Sequence, residues 1–85
     1  MARRPIKIKS ASLKRQKLLG LADIPAREII IDFPAHKTEK ELLDTICHEV
    51  LHLAADDLLS ETAVDKIAHD LADVLFRLKY RRFHH

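Results

Sequence analysis

Two histidines and a glutamate stand together in the segment His48-Glu49-Val50-Leu51-His52, which is an HExxH motif. In a helix, residues four apart lie on the same face, so both imidazoles can approach one ion. Neutral imidazole is a good zinc ligand, and a catalytic zinc site keeps three protein ligands and one open position for water. Glu49 is then expected to act as the general base toward that water and to pass the proton to a leaving amine. The motif predicts a hydrolytic zinc site.

Two acidic residues further along the chain, Glu61 and Asp65, are candidates for the third ligand. If a second helix turns back near residues 57–58 and packs antiparallel, both acids come level with the histidines. An acid at the edge of an apolar stripe requires a charged or hydrogen-bonding partner. The simpler explanations are a first-turn glutamate favoured by the helix dipole for Glu61 and an ordinary flanking residue for Asp65. From the residues alone, either can be the ligand.

Other polar residues have weaker roles in this interpretation. His69 continues the line of the two acids by one turn and is a possible oxyanion stabiliser, although a surface histidine is the commoner case. His36 and Tyr80 are weaker candidates for the same role. Cys47 points toward the apolar side of its helix, which favours a buried structural cysteine.

Two helices must position these side chains. Thr38 and Glu41 form a capping box, which predicts a helix over residues 38–55. Ser60 can cap a second helix over residues 60–80. Its apolar positions form one stripe that is expected to be buried: Val64, Ile67, Ala68, Leu71, Ala72, Leu75 and Leu78.

The first part of the chain has the pattern of a small sheet. Ile6 and Ile8 alternate with lysines, which predicts a half-buried strand over residues 5–9, while residues 10–17 are ambiguous between a short helix and a strand. Residues 18–23 and 28–33 read as a hairpin with Pro25 in its turn. We expect an α+β fold in which two or three antiparallel strands pack on a helical hairpin.

Length and composition restrict the class of protein. Eighty-five residues form one domain whose core is marginal, so a metal or a partner is expected to support it. The single cysteine excludes an internal disulfide and favours a reducing compartment. No apolar run is long enough to cross a membrane, and we expect a cytoplasmic protein.

The basic residues are concentrated before the first acidic residue, Asp23. Solvated chain ends are the ordinary explanation of this uneven distribution of charge. The more specific explanation is a surface that contacts nucleic acid. The chain has no Trp and few aromatic residues for base stacking, which weakens the second explanation. The residues concerned are Arg3, Arg4, Lys7, Lys9, Lys14, Arg15 and Lys17.

An HExxH motif followed on a second helix by Glu-x-x-x-Asp, here Glu61 to Asp65, resembles the gluzincin group of zinc metallopeptidases. That resemblance implies that Glu61 is the third zinc ligand and that Asp65 orients His48 through its ring N–H. The metzincin pattern does not fit, because Ala55 and Leu58 stand where it needs glycine and histidine. Residues 18–80 as a whole resemble the small metallopeptidase-like proteins of phage and bacterial genomes.

The leading functional expectation is a zinc-dependent metallopeptidase that cleaves a peptide or protein substrate. The strand containing Ile29 to Ile31 is expected to hold an extended substrate by edge pairing. The first alternative is a non-catalytic module that zinc stabilises. The second is a basic adaptor for nucleic acid, whose binding falls steeply with salt.

Overall fold

A computed structural model of the chain describes residues 4–83, with side chains up to Lys79. Arg3 and the side chain of Tyr80, both named above, lie outside the described residues. The elements follow in the order β1 (Lys7–Ser10), β2 (Gly20–Asp23), β3 (Glu28–Ile31), α1 (Glu39–Ala54) and α2 (Glu61–Phe83), with short 3-10 turns at Lys14–Gln16 and Phe33–Ala35. The predicted α+β fold is confirmed.

The sheet is mixed, so the prediction of purely antiparallel strands was wrong. Its order is β1-β3-β2, with β2 antiparallel and β1 parallel to β3. The predicted hairpin of β2 and β3 is present, and the Asp23 carboxylate accepts a hydrogen bond from the Ala26 amide in its turn. Because β2 comes between β1 and β3 in the sequence and runs the opposite way, β3 is parallel to β1 without a helical crossover. The buried Asp32 carboxylate fixes the connection from β1 by accepting the Leu13 amide at 2.9 Å.

Strand β1 is not half-buried as its alternating pattern predicted. All four of its residues are exposed, and the Ile8 side chain is 64% exposed. The reason is the strand order: α1 packs on β2 and β3, which leaves β1 at the outer edge. Ile29 and Ile31 of the central strand are fully buried beneath the helix.

Both helices begin at the predicted caps. The Thr38 hydroxyl accepts a hydrogen bond from the Glu41 amide, and the Ser60 hydroxyl accepts one from the Ala63 amide. The Glu41 carboxylate reaches back to the Lys37 amide, one residue before the cap. Helix α2 extends three residues beyond its predicted end. Among the described residues, neither helix is apolar enough over a sufficient length to cross a membrane.

The apolar stripe of α2 is only partly buried, contrary to expectation. The small residues Ala68 and Ala72 are buried with Cys47 of α1, and Val64 is also buried. Small side chains let the two helix backbones approach closely, so the larger residues are left beside the contact. Those residues remain two-fifths exposed or more: Ile67, Leu71, Leu75 and Leu78.

Candidate metal centre

The structure brings His48, His52 and Glu61 together at the end of the helical pair where the short connection joins α1 to α2. The Nε2 atoms of the two histidines are 2.9 Å apart. Glu61 Oε1 lies 3.2 Å from Nε2 of His52 and 3.6 Å from Nε2 of His48. Helix α1 supplies both imidazoles from successive turns, and the first turn of α2 supplies the carboxylate. Three potential ligand atoms of two types therefore converge on one point.

These separations fit a zinc ion. Zinc holds nitrogen and oxygen ligands at about 2.0–2.2 Å, so two ligands at the tetrahedral angle lie about 3.3 Å apart. The three observed separations, from 2.9 to 3.6 Å, bracket that value. The donor set of two imidazoles and one carboxylate is also one that zinc enzymes use. The histidines are about one-quarter exposed and Glu61 is 67% exposed, so a fourth position is open to solvent.

Asp65 lies on the other side of the His48 ring. Its Oδ1 atom is 3.1 Å from His48 Nδ1. An ionised carboxylate only accepts hydrogen bonds, so the ring proton belongs on Nδ1 and the lone pair on Nε2 points toward Glu61 and His52. This is the tautomer that a metal ligand requires. The structure thus places Glu61 in the cluster with His48 and His52, and Asp65 against the other ring nitrogen of His48.

We expect Asp65→Asn to lower zinc affinity by about 10- to 100-fold, because a neutral amide no longer increases the basicity of the His48 ring. The measurement is zinc titration against a competing chelator. Asp70→Asn, which removes the same charge from the same helix away from His48, is the matched control. Equal affinities for the two variants would show that Asp65 does not act through His48.

The metal cluster is the end of a longer ladder of contacts between the helices. Four of the pairs that join α1 to α2 form a regular series, in which each pair lies four residues further along α1 and four residues back along α2 than the one before. They are Lys40 with Asp73, Asp44 with His69, His48 with Asp65, and His52 with Glu61. Water screens contacts as exposed as these, so each contributes little to stability. The ladder therefore matters mainly because it keeps the helices in the register that brings Glu61 to the histidines.

His69 belongs to this ladder. Its Nδ1 atom is 3.2 Å from Asp44 Oδ2, and its side chain is exposed. It lies two turns of α2 from Glu61, about 12 Å along the helix axis. Its assignment as an oxyanion stabiliser stays a prediction, and the pair with Asp44 gives the residue a structural explanation. His36, the weaker candidate, uses both ring nitrogens, at 2.9 Å from the Asp32 carbonyl and 2.8 Å from the Thr45 hydroxyl.

Glu49 is buried between α1 and the sheet, with only 9% of its surface exposed. Burial raises the pKa of its carboxyl group above the ordinary value, although His48 and His52 oppose that shift when charged. A carboxylate with a raised pKa is better matched to accept a proton near neutral pH. The position of Glu49 beside the two histidines follows from the sequence, but its burial was not predicted.

Gly20 on β2 is what gives Glu49 its space. A Cβ atom at this position would lie 2.7 Å from Thr45 Cγ2, 3.0 Å from Glu49 Cγ and 3.2 Å from Glu49 Oε2. The glycine has no unusual backbone angle, so the close approach of strand and helix is what requires it. This role of Gly20 was not predicted from the sequence. The available signal was that Gly20 is the only glycine in the chain.

We expect Gly20→Ala to destabilise the protein by about 1–3 kcal/mol, because the added methyl group overpacks the contact between β2 and α1. Thr45→Ser removes the closest atom, Cγ2, and retains the hydroxyl that contacts His36. The double variant should therefore recover part of the loss, as measured by chemical denaturation of the four proteins of the cycle. If the two substitutions changed the free energy of unfolding in a strictly additive way, this would contradict the close contact between position 20 and Thr45 Cγ2.

Two shallow grooves meet at Glu49. One, of about 270 Å³, runs between β2 and the C-terminal half of α1, and is lined by Gly20, Leu21, Ala22, Glu49 and His52 among others. The second, of about 390 Å³, lies on the side of Thr45 and His48. Glu49 therefore lines both grooves, with His52 beside it in the first and His48 in the second.

Cys47 is buried, as its position on the helix predicted, and burial raises the pKa of its thiol, with a further contribution from Asp44. Cys47 packs against Ala68 and Ala72 and does not belong to the cluster of His48, His52 and Glu61. Comparison of the chain with protein-family models, curated proteins and solved structures finds no match.

Proposed function

We propose that the protein is a zinc-dependent peptide hydrolase. The observation that carries the proposal is the convergence of His48, His52 and Glu61 within 4.8 Å of one another, with the buried Glu49 carboxylate on the same helix. Two ligands and a base on one helix, together with an acid from its neighbour, are the set of groups that hydrolysis of an amide requires.

His48, His52 and Glu61 would hold the ion, and Asp65 would orient His48. Zinc in such a site supplies a water of lowered pKa and polarises the scissile carbonyl. Glu49 accepts the proton of the attacking water on its carboxylate and delivers it to the nitrogen of the leaving amine. Gly20 leaves room for the Glu49 side chain between β2 and α1, beside the ligands.

The substrate is proposed to lie along β2 and not along β3. The earlier expectation of edge pairing by Ile29 to Ile31 was wrong, because β3 is the central strand and both of its edges are occupied. The Asp32 amide donates to the Leu19 carbonyl, so the alternation of an antiparallel pair directs the backbone groups of Gly20 and Ala22 to the outer edge. An extended peptide on that edge would pass beside Glu49.

The test is incubation of the zinc-loaded protein with a mixture of unstructured peptides, followed by mass spectrometry of the products. The proposal predicts new peptide ends that vanish with chelator and return when zinc is restored. His48→Ala is the control for a contaminating protease. If the folded, zinc-loaded protein cleaves no peptide of a diverse library, the proposal of an enzyme is refuted.

The second candidate is a non-catalytic module in which zinc holds α2 to α1. The small contact of Cys47 with Ala68 and Ala72 favours it, since so limited a core benefits from a metal link. If the Glu49→Gln variant keeps the function of the protein, that result favours the non-catalytic module over the hydrolase. Nucleic-acid binding by the exposed residues Lys7 and Lys9 stays a prediction, as does cytoplasmic localisation.

A further inference from the structure

Helix α2 carries an apolar flank that the rest of the described chain leaves about half exposed to solvent. Ile67, Leu71, Val74 and Leu78, here called the α2 seam, are 40%, 42%, 42% and 57% exposed. The same helix buries Ala68 and Ala72 against α1. At 100° per residue, the seam lies about a quarter turn to one side of that contact, and the ladder of Glu61, Asp65, His69 and Asp73 lies on the other side.

The spacing of the seam is that of a helix that pairs with another helix. Its residues recur at intervals of four, three and four, the 3-4 alternation of a coiled-coil seam. Aliphatic residues at every one of these positions are expected where knobs insert between the side chains of a partner helix. A flank that only solvent contacts is not expected to carry aliphatic residues at this 3-4 spacing over three turns.

The charges beside the seam identify the partner as a second copy. Asp70 and Arg77 each directly precede a seam residue, on the side away from α1. If two α2 helices pair antiparallel with Leu71 of one copy against Val74 of the other, Asp70 of each copy lies near Arg77 of the other. A two-fold axis forms this pair twice. The Arg77 guanidinium contacts Asp73 of its own helix at 3.2 Å and has donors left for a second carboxylate.

Parallel pairing fits less well. It would place Asp70 opposite Leu75 of the other copy, so the carboxylate would face an apolar side chain. Among the residues whose side chains are described, Asp70 has no ion pair within its own chain, which leaves it available to the second copy. We propose that the protein forms an antiparallel homodimer through the α2 seam, with both metal centres facing outward.

Sedimentation velocity from about 1 µM to about 1 mM tests the proposal. The wild-type protein should convert from monomer to dimer as concentration rises. Leu71→Glu should raise the dimer dissociation constant at least about 30-fold. Leu71→Ala, which keeps helix propensity, should weaken the dimer without loss of fold. Helical circular dichroism and zinc binding should stay unchanged in both variants, which excludes unfolding as the cause.

The orientation is tested by charge reversal. Asp70→Lys should raise the dissociation constant about tenfold, and adding Arg77→Glu should restore it to within about threefold of wild type. Lys9→Glu, an equal change of charge on strand β1, which pairs with β3, should have no effect. A wild-type protein that stays monomeric, or a dimer that tolerates Leu71→Glu, would overturn the proposal. Failure of the double reversal to restore the dimer would overturn the antiparallel register.

Discussion

Glu49→Gln is expected to lower the turnover number for peptide hydrolysis by at least about 100-fold while zinc affinity stays close to that of the wild type. General acid–base catalysis contributes about 10²–10⁴-fold, and the amide cannot accept the proton of water. The three groups that would hold zinc, His48, His52 and Glu61, are untouched by the substitution. The measurement is the rate of cleavage of one identified peptide by zinc-loaded protein, beside a zinc titration.

The same substitution should make the metal-free protein more stable at neutral pH. Burial raises the pKa of Glu49, so the folded state binds this proton more tightly than the unfolded state does. The favourable contribution is therefore complete below the unfolded-state pKa and is lost as pH rises through the higher folded-state pKa. At neutral pH the wild type keeps a buried carboxylate, whereas the variant keeps a neutral amide of the same shape.

Chemical denaturation of both metal-free proteins between pH 4 and pH 7 measures this difference. The stability of the variant relative to the wild type should increase with pH across that range. Glu28→Gln, the same chemical change on β3 far from the metal centre, serves as the control. Equal stability at every pH would show that burial of the carboxylate costs no stability. Hydrolysis that survives Glu49→Gln would show that the carboxylate is not catalytic.

Removal of zinc is expected to lower the free energy of unfolding by several kcal/mol. A ligand that binds only the folded state stabilises it by about 2.7 kcal/mol when its free concentration is 100 times the dissociation constant. Here the ligands come from both helices, and the packing between the helices rests on small residues, Ala68 and Ala72 against Cys47. Loss of the ion should therefore loosen α2 from α1 first.

Thermal unfolding with zinc and with chelator measures this effect. His52→Ala should remove the response to zinc, because it deletes the ligand closest to both His48 and Glu61. His69→Ala is the matched control: it deletes an exposed histidine of the same ladder, one that is not among the three ligands, and should leave the response intact. A wild-type protein whose unfolding is indifferent to zinc would contradict the structural part of the account.

The local features of the helices were predictable because they depend on residues close together in sequence. The capping residues Thr38 and Ser60 fix where α1 and α2 begin, and the four-residue spacing of His48 and His52 is a property of any helix. Given two antiparallel helices and a short connection, Glu61 and Asp65 had to come level with the histidines. That is why the candidate metal site could be assembled from the sequence.

The arrangement of the strands could not be predicted in the same way. Strand order depends on contacts between distant segments, such as the Asp32 carboxylate with the Leu13 amide, and no local pattern specifies them. The alternation of Ile6 and Ile8 correctly indicated a strand but not its place at an exposed edge. The burial of Glu49 followed from the same packing, because it depends on how closely Gly20 of β2 approaches α1.

The apolar stripe of α2 shows a further limit of periodicity. The pattern combined residues that pack on α1, such as Ala68 and Ala72, with residues of the seam, such as Leu71 and Leu78. Hydrophobicity alone does not distinguish a face buried within one chain from a face that a second chain covers. Side-chain size separates them here, because only the small residues fit between closely packed helices.

Zinc titration of the metal-free protein against a chelating indicator tests the central claim most directly. The account predicts one zinc ion per chain for the wild type, and loss of that binding in His48→Ala and in Glu61→Ala. The helical content of the two variants, followed by circular dichroism, shows whether they remain folded. A wild-type protein that binds no zinc, or a folded His48→Ala variant that binds it as tightly as the wild type, would contradict the claim.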